Sequence, residues 1–532
     1  MDDENSLIAQ RREKLATLQA RGANPFGHAY ENSGTIAEVR KKFSEGATLR
    51  AAGRITAHRD MGKSHFVDLR DSTGRIQVYI HAKEVGGDVI EMFKLIDLGD
   101  FIGVEGTCFL TKTGEPTLKV RALEILGKSL RPLPEKWHGL QDVEARYRQR
   151  YLDLLTNEHS RAVFEKRIMI VREIRNFMEA RGFLEVETPM LQAVAGGAAA
   201  EPFRTHHKAL GLDLYLRIAP ELYLKRLLVG GFNKVFELNR NFRNEGISRK
   251  HNPEFTMLEA YWAYADFEKM ADLVEELICH VAQTLEGRAS GETLEGRASA
   301  RPGTREGEAP AEPPGEPEPG SAGASPSQES GTSGSSSLRI EHRDAEGNVT
   351  RTINLTRPWR RARYRDLIRE IDPEWFNYTS GKRRERCTDL GVEINPRMAD
   401  YEVTQQVFEK LIEEKTFDPL FVTHCPKELV PLAKQNPEDD SLVDVYELII
   451  NGQEISPGYS ELNDPTTQRQ RLLEQAGEET QKIDEEFLLA LEHGMPPAGG
   501  IGIGIDRLTM LLTGAESIRD VILFPLLKPR NR

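Results

Sequence analysis

The sequence predicts an α+β protein with at least two domains: a small β-barrel, then a larger domain built on a mostly antiparallel sheet with flanking helices. Between residues 49 and 126, short alternating runs of apolar and polar residues are separated by turn sequences, a pattern typical of a barrel. From about residue 142 onward, helical and strand-like segments alternate. The chain has 532 residues, more than one domain usually contains, which agrees with this division.

Four consecutive segments follow from these patterns. They are an N-terminal helical extension at 1–45, the barrel domain at 46–130, a proline-bearing linker at 131–145 and the larger domain at 146–532. Within the barrel, an apolar interval at 87–98 predicts a capping helix. In the larger domain we expect helices at 161–181 and up to residue 283, and strands at 212–218, 233–245 and 254–261.

One segment inside the larger domain differs in composition from the rest. TLEGRAS occurs at 284–290 and again at 293–299, followed by a tract rich in Pro, Glu, Gly and Ser. Such a composition buries too little apolar surface to offset the entropy of the chain. We therefore expect the insert at about 285–337 to be disordered, as a tolerated expansion of a surface loop.

The composition excludes several classes of protein. Hydrophobic residues make up 39% and charged residues 29%, as in an ordinary globular chain. No run of about 18 apolar residues occurs, and the N-terminal residues lack the apolar core of a secretory signal, so we expect no membrane association. The four cysteines lie far apart, which favours a reducing cytoplasm over a disulfide framework or a cysteine zinc site.

The charge distribution bears on nucleic-acid binding. A net charge of −13 gives no support to such binding by the whole chain, but phosphate contacts depend on local rather than summed charge. The densest basic run, RPWRRARYRDLIR at 357–369, is more often a solvated helix face than an RNA contact.

The stretch from Phe242 to Glu259 is the most informative local pattern. It reads FRNEGISRKHNPEFTMLE, which predicts two strands joined by a polar loop. Because residues two apart on a strand share a face, Arg243 and Glu245 should project the same way. By the same rule a row of four residues should line one sheet face: Phe255, Met257, Glu259 and Tyr261. An aromatic ring, a carboxylate and a tyrosine on one face indicate a binding site rather than a solvent-facing hairpin.

A second informative segment lies far along the chain, at 499–508, and reads GGIGIGIDRL. Its glycines let the backbone approach a ligand closely, just before a helix that should start near Asp506. A glycine run alone is equally typical of a tightly packed strand. Arg507 follows the run, and together with Arg243 it favours a phosphate site, because a guanidinium donates paired hydrogen bonds to phosphate oxygens.

A third pattern suits a metal ion. The segment VYELIINGQEIS predicts a two-residue type I′ hairpin turn at Asn451 and Gly452. That turn pairs Ile449 with Glu454, and Glu447 shares the face of Ile449, so the two carboxylates should lie diagonally on one side, roughly 7–8 Å apart at the backbone. Carboxylates that converge across such a gap suit Mg²⁺ bound together with substrate phosphates. The plainer alternative is a pair of solvent-facing glutamates.

Together these segments resemble a known family. FRNEG…HNPEFTMLE resembles the second signature motif of the class II aminoacyl-tRNA synthetases, GIGIGIDRL the third, and GFLEVETPML at 182–191 the first. RYRQRYLDL, GGAAAEPF, LRIAPELYLKRLLVGG and GYSELND are similar to segments of the bacterial-type lysyl-tRNA synthetases. The resemblance spans residues 6–529, apart from the insert. It implies an OB-fold anticodon-binding domain followed by a class II catalytic domain, and a homodimer, because the first motif belongs to the dimer interface of that class.

The resemblance also implies an ATP site. The ATP-binding residues that it indicates are Arg243, Glu245, His251, Asn252, Phe255, Glu447 and Arg507, with Arg243 and Arg507 as the catalytic pair. Arg243 would bind the α-phosphate, and His251 would reach the terminal phosphates. Phe255 would stack on adenine with Arg507 on the opposite face, a contact worth about 1–2 kcal/mol when desolvated. Glu447 and Glu454 match the magnesium ligands of the family, so Mg²⁺ is the expected cofactor.

An amino-acid pocket is implied by the same resemblance. Its lysine-binding residues are Glu221, Glu259, Tyr261, Tyr459 and Glu461. Glu259 and Tyr261 would face the side-chain end of lysine, and Glu221 its α-amino group. Three carboxylates in one pocket repel each other unless a cation is bound, and lysine brings two ammonium groups. An acid-lined pocket would also reject the aspartate that related synthetases bind.

The activity implied is ATP-dependent lysine–tRNA ligation in two steps. The lysine carboxylate attacks the α-phosphate of ATP and releases pyrophosphate, and a ribose hydroxyl at the 3′ end of tRNA-Lys then attacks the activated carbonyl. In the barrel, Arg59, Phe66 and Gln77 are the anticodon-contacting residues, and Tyr79 offers a second ring for stacking on bases. From the residues alone, an aromatic on a strand is equally well explained as core.

Two positions depart from the family pattern. Pro457 stands where the family usually has Asn, and Glu201 where it often has a basic residue, so both bear on lysine affinity. Two other interpretations stay open: a paralogue that attaches lysine to a protein, and an RNA-binding paralogue without activity. The first resembles the catalytic domain alone, which the complete barrel argues against. The second predicts loss of residues that are all present: Arg243, Glu447, Glu454 and Arg507.

Overall fold

The structure, a computed structural model, describes residues 2–529 except 135–139, 141, 199, 290–336, 345, 431 and 477–482. It divides into two compact units, residues 1–146 with 151–156, and residues 147–150 with 157–532. Most of the insert expected at 285–337 lies outside the described residues. No helix in the described ranges is both long and apolar enough to cross a membrane.

The first unit is a closed five-stranded barrel with short helices. Its elements are α1 (Asp2–Ala20), α2 (Ile36–Lys41), β1 (Thr48–Asp60), β2 (Ser64–Arg70), β3 (Arg75–His81), α3 (Ala82–Val85), α4 (Gly87–Phe93), β4 (Phe101–Leu110) and β5 (Pro116–Gly127). The strand order around the barrel is β1-β2-β3-β5-β4, with only β3 and β5 parallel. The predicted barrel is therefore confirmed. The helix expected at 87–98 is α4, which ends earlier, at Phe93.

The barrel closes because alternate residues of its strands are apolar and face inward. Val67 and Leu69 of β2 and Val78 of β3 are fully buried in one core. Leu18 of α1 joins the same core, which explains why the charged N-terminal helix packs on the barrel. Two further helices, α5 (Val143–Arg148) and α6 (Arg150–Thr156), lie where the chain passes from the first unit to the second.

The second unit is a mixed domain around a large sheet. Its helices are α7 (Glu158–Ala180), α8 (Glu221–Val229), α9 (Phe267–Ala289), α10 (Tyr364–Ile371), α11 (Ser380–Asp389), α12 (Asp400–Leu411), α13 (Pro465–Ala476), α14 (Glu485–Glu492), α15 (Ile505–Thr513) and α16 (Ile518–Val521). Short 3₁₀ helices lie at Trp375–Asn377 and Glu413–Lys415. Its strands are β6 (Leu184–Glu185), β7 (Leu191–Gln192), β8 (Arg204–His207), β9 (Leu212–Leu216), β10 (Lys234–Phe242), β11 (Glu254–Ala263), β12 (Arg339–Arg343), β13 (Val349–Asn354), β14 (Arg360–Arg363), β15 (Leu420–Thr423), β16 (Val445–Ile449), β17 (Glu454–Ser460) and β18 (Ala498–Gly504).

Eight strands form the main sheet, in the order β14-β15-β16-β17-β18-β11-β10-β6. Only its two outer pairs, β14 with β15 and β10 with β6, are parallel, so the prediction of a mostly antiparallel sheet is confirmed. β7, β9 and β8 form a separate three-stranded sheet, and β12 pairs with β13 alone. The helix expected to end at residue 283 continues to Ala289, into the predicted start of the insert.

One large apolar core of the second unit lies on the face of the main sheet where α7, α9 and α15 pack. Leu258 and Ala260 of β11 belong to this core, together with Leu277 of α9 and Leu508 of α15. Because side chains alternate along a strand, Met257, Glu259 and Tyr261 face the opposite side. That opposite face carries the candidate site.

Candidate functional site

The β10–β11 hairpin brings the first set of predicted residues together. The strands pair antiparallel, with Asn241 opposite Phe255 and Glu237 opposite Glu259. β10 ends at Phe242, so the expectation that Arg243 and Glu245 alternate along a strand is wrong. The backbone N–H of Glu245 instead donates to the carbonyl of Arg243 (2.9 Å), which turns the chain tightly there. Both side chains nevertheless line one cavity.

The row on β11 has the arrangement that the sequence predicts. The Tyr261 hydroxyl donates to Glu259 at 3.5 Å, and Asn241 Nδ2 donates to the other carboxylate oxygen, also at 3.5 Å. β18 lies beside this row, with Gly502 opposite Glu259 and Gly500 opposite Tyr261. A Cβ on Gly500 would lie 1.9 Å from Glu461 Oε1 and 2.8 Å from the Tyr261 ring. The glycine therefore makes room for two pocket side chains.

A cavity next to this row is lined by most of the residues predicted to bind ATP. Its lining includes Arg243, His251, Asn252, Phe255 and Arg507. The Arg243 guanidinium lies 5.2 Å from the centre of the Phe255 ring, and its Nε is buried without a hydrogen-bond partner in the described chain. Arg507 Nη2 lies 3.0 Å from His251 Nε2, so that ring nitrogen must be unprotonated to accept. Burial first, and then the charge of Arg507, lower the pKa of His251, which agrees with this contact.

The sheet opens at the mouth of this cavity. β17 pairs with β18 only at Gly458, Tyr459 and Ser460, so the two strands are unpaired on the side where Pro457 and Gly504 line the cavity. Proline fits at this point because no ladder hydrogen bond to β18 is required of it. Arg507 spans the opening, and its Nη1 donates to the Glu454 carbonyl at 3.0 Å.

Asp506 fixes the start of α15 against β11. One carboxylate oxygen accepts from Arg167 of α7 at 2.6 Å, and the other accepts from the backbone N–H of Thr256 at 2.7 Å. Arg167 also donates to the Thr256 hydroxyl. Because α15 begins at Ile505, this closed network sets the position of Arg507 one residue later.

The predicted hairpin turn at Asn451 and Gly452 is confirmed. Both residues have positive φ, 58° and 70°, as a type I′ turn requires, and Ile449 pairs with Glu454. A bulge follows, so Glu447 lies opposite Pro457 rather than Ser456. The diagonal expected for Glu447 and Glu454 on a regular ladder is therefore shifted by one residue.

The two glutamates still interact electrostatically. Burial, and then the negative charge of Glu454, raise the pKa of Glu447 to about 8. Glu413, from a 3₁₀ helix that the sequence did not single out, adds further negative charge, and burial followed by the charge of Glu454 raises its pKa too. Oxygen donors under mutual repulsion are a set that a hard cation relieves, so these residues fit Mg²⁺. The described chain holds no cluster of three or more such ligands with metal-binding geometry.

The acidic residues of the second predicted set converge at the other end of the β11 row. The Tyr459 hydroxyl donates to Glu221 Oε2 at 3.0 Å. Lys225 Nζ, one turn along α8, lies 2.6 Å from Glu221 Oε1 and 2.5 Å from Glu461 Oε2. No sequence pattern singled out this lysine. Its position means that the three carboxylates do not depend on a ligand alone for neutralisation.

This pocket is short of hydrogen-bond donors. Glu461 Oε1 has no partner in the described chain, and the donors to Glu259 are both at 3.5 Å. Burial, and then the charge of Glu221, raise the pKa of Glu259 to about 8. Burial also raises the pKa of Glu461 to about 8, although Lys225 opposes that shift. A cation with several N–H donors would satisfy these oxygens.

One face of the barrel carries the residues predicted to contact RNA. Arg59, Phe66, Tyr79 and Lys119 lie opposite one another on successive strands. The rings of Phe66 and Tyr79 are 4.9 Å apart and partly exposed. Gln77 is buried, and its amide oxygen accepts from the Thr117 hydroxyl at 3.0 Å, so it is less open to a base edge than expected. The row places two aromatic faces between two basic groups, a surface suited to unpaired bases.

Comparison with known proteins agrees with both units. A family model described as tRNA synthetases class II (D, K and N) matches residues 142–528, which is more than half of the chain. The chain belongs to this family. A model of the OB-fold nucleic acid binding domain matches residues 49–126, the barrel.

Full-length relatives are similar throughout. The chain is 46% identical to a lysine–tRNA ligase of Pelotomaculum thermopropionicum, covering 100% of this chain and 96% of the relative. It is also 46% identical to a lysine–tRNA ligase of Carboxydothermus hydrogenoformans, with 99% of each covered. A lysine–tRNA ligase of Staphylococcus epidermidis is 41% identical over 99% of this chain and 100% of its own length.

Within this synthetase fold, the basic run at 357–369 is accounted for by ion pairs. Arg357 contacts Glu275 at 3.0 Å, and Arg361 contacts Asp272 at 2.5 Å, both on α9. Other arginines of the run pair with nearby acids: Arg360 with Glu370, Arg365 with Asp439 and Arg369 with Asp366. The sequence interpretation of the run as one helix face is wrong for its first half, because Arg360–Arg363 is strand β14 and the helix α10 begins only at Tyr364. The ion pairs tie these two elements to α9 and to nearby acids.

Two cationic residues of the site were missed by the sequence arguments. Lys250 lines the cavity, and its Nζ donates to the carbonyl of Gly452 at 2.8 Å, which ties the β10–β11 loop to the hairpin turn. Lys225 is the other. Its spacing of four residues from Glu221 on a helix was visible, but that spacing is far more typical of an exposed pair.

Proposed function

We propose that this chain is an ATP-dependent lysine–tRNA ligase. The observation that carries the proposal is the acidic pocket of Glu221, Glu259 and Glu461 beside the cavity of Arg243 and Arg507. A pocket that binds an amino acid with a second ammonium group and a cavity that binds polyphosphate stand next to each other along β11. Full-length relatives that carry the name lysine–tRNA ligase support the same conclusion.

Lysine binds with its two ammonium groups on the acidic residues. Glu221, with Tyr459, receives the α-ammonium group, and Glu259, with Tyr261, receives the ε-ammonium group. Glu461 Oε1, which has no hydrogen-bond partner in the described chain, accepts a further N–H. Aspartate is rejected because its carboxylate would face three buried carboxylates, which Lys225 by itself does not neutralise.

ATP occupies the cavity beside the pocket. Phe255 provides a flat face for adenine, and Glu245 and Asn252 line the same space. Arg243 binds the α-phosphate through a guanidinium whose Nε has no other partner in the described chain. His251 reaches the terminal phosphates, and Arg507, whose Nη2 lies 3.0 Å from His251 Nε2, covers the face of adenine opposite Phe255.

Activation is an in-line displacement at the α-phosphorus. A carboxylate oxygen of lysine forms the new P–O bond, the bond to the bridging oxygen breaks, and pyrophosphate leaves with its electron pair. Arg243 and Arg507 stabilise the charge that develops, and no protein nucleophile takes part. Glu447 and Glu454 would hold Mg²⁺, which neutralises charge on the phosphates when it is bound.

Transfer completes the reaction. A hydroxyl of the terminal ribose of tRNA-Lys attacks the lysyl carbonyl, and AMP leaves. The barrel face of Arg59, Phe66 and Tyr79 binds the anticodon bases by stacking and charge, and Gln77 contributes from beneath through its amide group.

A homodimer is the assembly we propose. The region of the first motif exposes several large apolar side chains: Leu184, Met190, Leu191, Leu210 and Leu212. β6 is the edge strand of the main sheet, so its outer side is open to pairing. A second copy of the chain would cover this surface. The four free, buried cysteines suit the reducing cytoplasm, where we place the enzyme.

The experiment that tests the proposal is ATP–pyrophosphate exchange with each standard amino acid, followed by charging of a tRNA-Lys transcript. We expect exchange with lysine and transfer of lysine to that transcript. Exchange without charging would favour the paralogue that attaches lysine to a protein. No exchange with any amino acid would contradict the catalytic proposal and favour an RNA-binding paralogue.

A further inference from the structure

Lys225 is enclosed by the protein between two acidic residues. Its side chain has no solvent exposure, and its Nζ lies 2.6 Å from Glu221 Oε1 and 2.5 Å from Glu461 Oε2. The same nitrogen is 5.7 Å from the centre of the Tyr459 ring. A buried ammonium group on two carboxylates is costly to form unless each partner is well placed, so its presence in a ligand pocket requires a reason.

We infer that Lys225 is a built-in counter-ion that positions Glu221 and Glu461 and sets the charge of the lysine pocket. When all three are ionised, the carboxylates of the pocket and the ammonium group of Lys225 leave two negative charges beside lysine's two ammonium groups, and Arg243 and Arg217 act on Glu259 as further positive charges. The inference rests on the proposed function and adds a positioning residue to it. Lys225 touches neither the reacting carboxylate nor ATP in this arrangement, because its Nζ is used by the two glutamates.

The geometry of the carboxylates supports this role. Glu221 uses Oε1 for Lys225 and Oε2 for the Tyr459 hydroxyl, so its plane is fixed from two sides. Glu461 Oε2 forms an ion pair with Lys225 at 2.5 Å, and its Oε1 lies at the Cβ position of Gly500; neither oxygen has a further hydrogen-bond partner in the described chain. Lys225 thus holds one oxygen of Glu461 and leaves the other for a ligand.

If Lys225 sets the charge of the pocket, lysine binding should depend on pH. The titratable groups that interact with Lys225 are Glu221 on α8 and Glu461 just after β17. These two carboxylates interact in turn with Tyr459 on β17 and with Tyr261 on β11, next to Glu259. Burial raises the pKa of Glu461, and the ammonium group of Lys225 opposes that rise. Without Lys225 the pKa of Glu461 would rise further, and lysine would have to displace a proton from it over a wider pH range.

The test compares Lys225→Met with a matched variant of another buried lysine. Lys128 lies in the barrel, is equally enclosed and also bridges two carboxylates, so Lys128→Met is the control. Lysine binding is measured by calorimetry and activity by lysine-dependent pyrophosphate exchange, both from pH 6 to pH 9. We expect K225M to raise the lysine Kd and KM at least about tenfold, with a smaller change in kcat, and to move the acidic limb of kcat/KM upward by about one pH unit.

Small-molecule rescue separates charge from packing. Lys225→Ala leaves space for ethylammonium, which should restore lysine binding in a saturable way, whereas K225M should not respond. If K225M does not fold, K225A prepared in ethylammonium and then freed of it gives the same comparison. A lysine Kd and pH profile equal to those of the wild type in K225M would overturn the inference, as would K225A without rescue.

The outcomes for the wild type keep the two proposals apart. Lysine binding without pyrophosphate exchange would contradict the ligase and still test Lys225 through the Kd values. Failure of the wild type to bind lysine would overturn both. A change of KM in K128M as large as that in K225M would show that burial of any lysine matters equally, which would overturn the specific role.

Discussion

Two lysines of this chain, Lys128 and Lys225, are enclosed and bridge two carboxylates each, yet their surroundings differ in charge balance. In the barrel, Lys128 lies 2.6 Å from Asp97 and 2.8 Å from Asp100. Lys14 adds a contact of 2.5 Å to Asp97, so two ammonium groups face two carboxylates. Every carboxylate oxygen there has a donor, since the backbone N–H groups of residues 97 and 129 bind Asp100.

The acidic pocket of Glu221, Glu259 and Glu461 has an excess of negative charge by comparison. Lys225 alone serves Glu221 and Glu461, and Glu259 adds a third carboxylate. The consequence shows in opposite pKa shifts. Although burial acts to raise it, hydrogen bonds from Lys128 and Lys14 hold the pKa of Asp97 below its usual range. Burial and the charge of Glu221 instead raise the pKa of Glu259 to about 8.

This difference in charge balance distinguishes a network that stabilises the fold from one whose charges a bound ligand would neutralise. A balanced buried network satisfies its own charges, and breaking it costs stability. A network with surplus charge lowers stability in the free protein and recovers that energy on binding a cation. Five predictions test this distinction, from the largest expected effect to the smallest.

Lys128→Met should destabilise the barrel by about 3–5 kcal/mol, because it leaves Asp97 and Asp100 buried with one cation fewer. Hydrogen–deuterium exchange of barrel peptides should rise accordingly. Lysine-dependent pyrophosphate exchange, measured below the melting temperature, should keep its KM, since the lysine pocket does not involve this network. A raised KM for lysine, with hydrogen–deuterium exchange of the barrel peptides unchanged, would contradict the assignment of Lys128 to a network that only stabilises the fold.

Glu259→Gln should lower kcat/KM for lysine roughly 30-fold to 1,000-fold, because the ε-ammonium group loses its charged partner. This factor corresponds to a loss of about 2–4 kcal/mol of transition-state stabilisation. Because burial raises the pKa of Glu259 to about 8, the amide replaces a side chain that is mostly neutral at pH 7, so the free energy of unfolding of the second unit should stay equal or rise. Tryptophan fluorescence, which senses Trp262, Trp359 and Trp375 of that unit, gives this second measurement. Loss of both activity and stability would mean that Glu259 is structural.

The pH dependence of the two networks should have opposite signs. Glu259 has a folded pKa of about 8 against an ordinary 4.5, so its contribution to stability is present below pH 4.5 and lost as pH rises through 8. From pH 6 to pH 8 that loss is about 2 kcal/mol at most. The contribution of Asp97 is present above pH 3.8 and lost as pH falls through its lowered pKa.

The affinity for lysine should rise with pH, in the direction opposite to the stability contribution of Glu259. Binding of the ε-ammonium group of lysine displaces the proton from Glu259, so affinity should rise by up to about tenfold per pH unit between 6 and 8. Calorimetry in buffers with different ionisation enthalpies measures the released proton directly. A pH-independent affinity with no proton release would contradict the assignment of surplus charge.

Pro457→Asn should have the smallest effect. Pro457 lies in β17 opposite Glu447, with its Cγ 3.9 Å from the Cβ position of Gly502 on the pocket side. Asparagine would add a backbone N–H and an amide group near the substrate, so we expect a lysine KM lower by a few-fold, or about 1 kcal/mol. Pro457→Ala, which adds only the N–H, is the matched control. An unchanged lysine KM in both variants would show that Pro457 does not affect the affinity for lysine.

Local rules predicted much of this site from the sequence. The alternation of side chains was enough to place Glu259 and Tyr261 on one face of β11. The preference of Asn-Gly for type I′ turns was enough to locate the hairpin at Asn451 and Gly452. Both rules depend on neighbouring residues alone, so no tertiary information was needed.

Other features depend on distant contacts and were missed or misplaced. The bulge that moves Glu447 opposite Pro457 arises where β17 leaves β18, which the sequence of the hairpin does not encode. Glu245 left the predicted strand because the chain turns back on Arg243. In the sequence, Lys225 and Glu221 look like an exposed ion pair on a helix. In the structure Lys225 also pairs with Glu461, which is distant in the sequence, and it is buried there.

The most direct test of the pocket's surplus charge compares lysine, norleucine and aspartate as substrates for pyrophosphate exchange. Norleucine has the length of lysine without the ε-ammonium group, and aspartate has a side chain of opposite charge. We expect kcat/KM for lysine to exceed the values for both by about 1,000-fold or more, because the buried carboxylates would be left unpaired. Exchange with norleucine or aspartate as efficient as that with lysine would contradict the account.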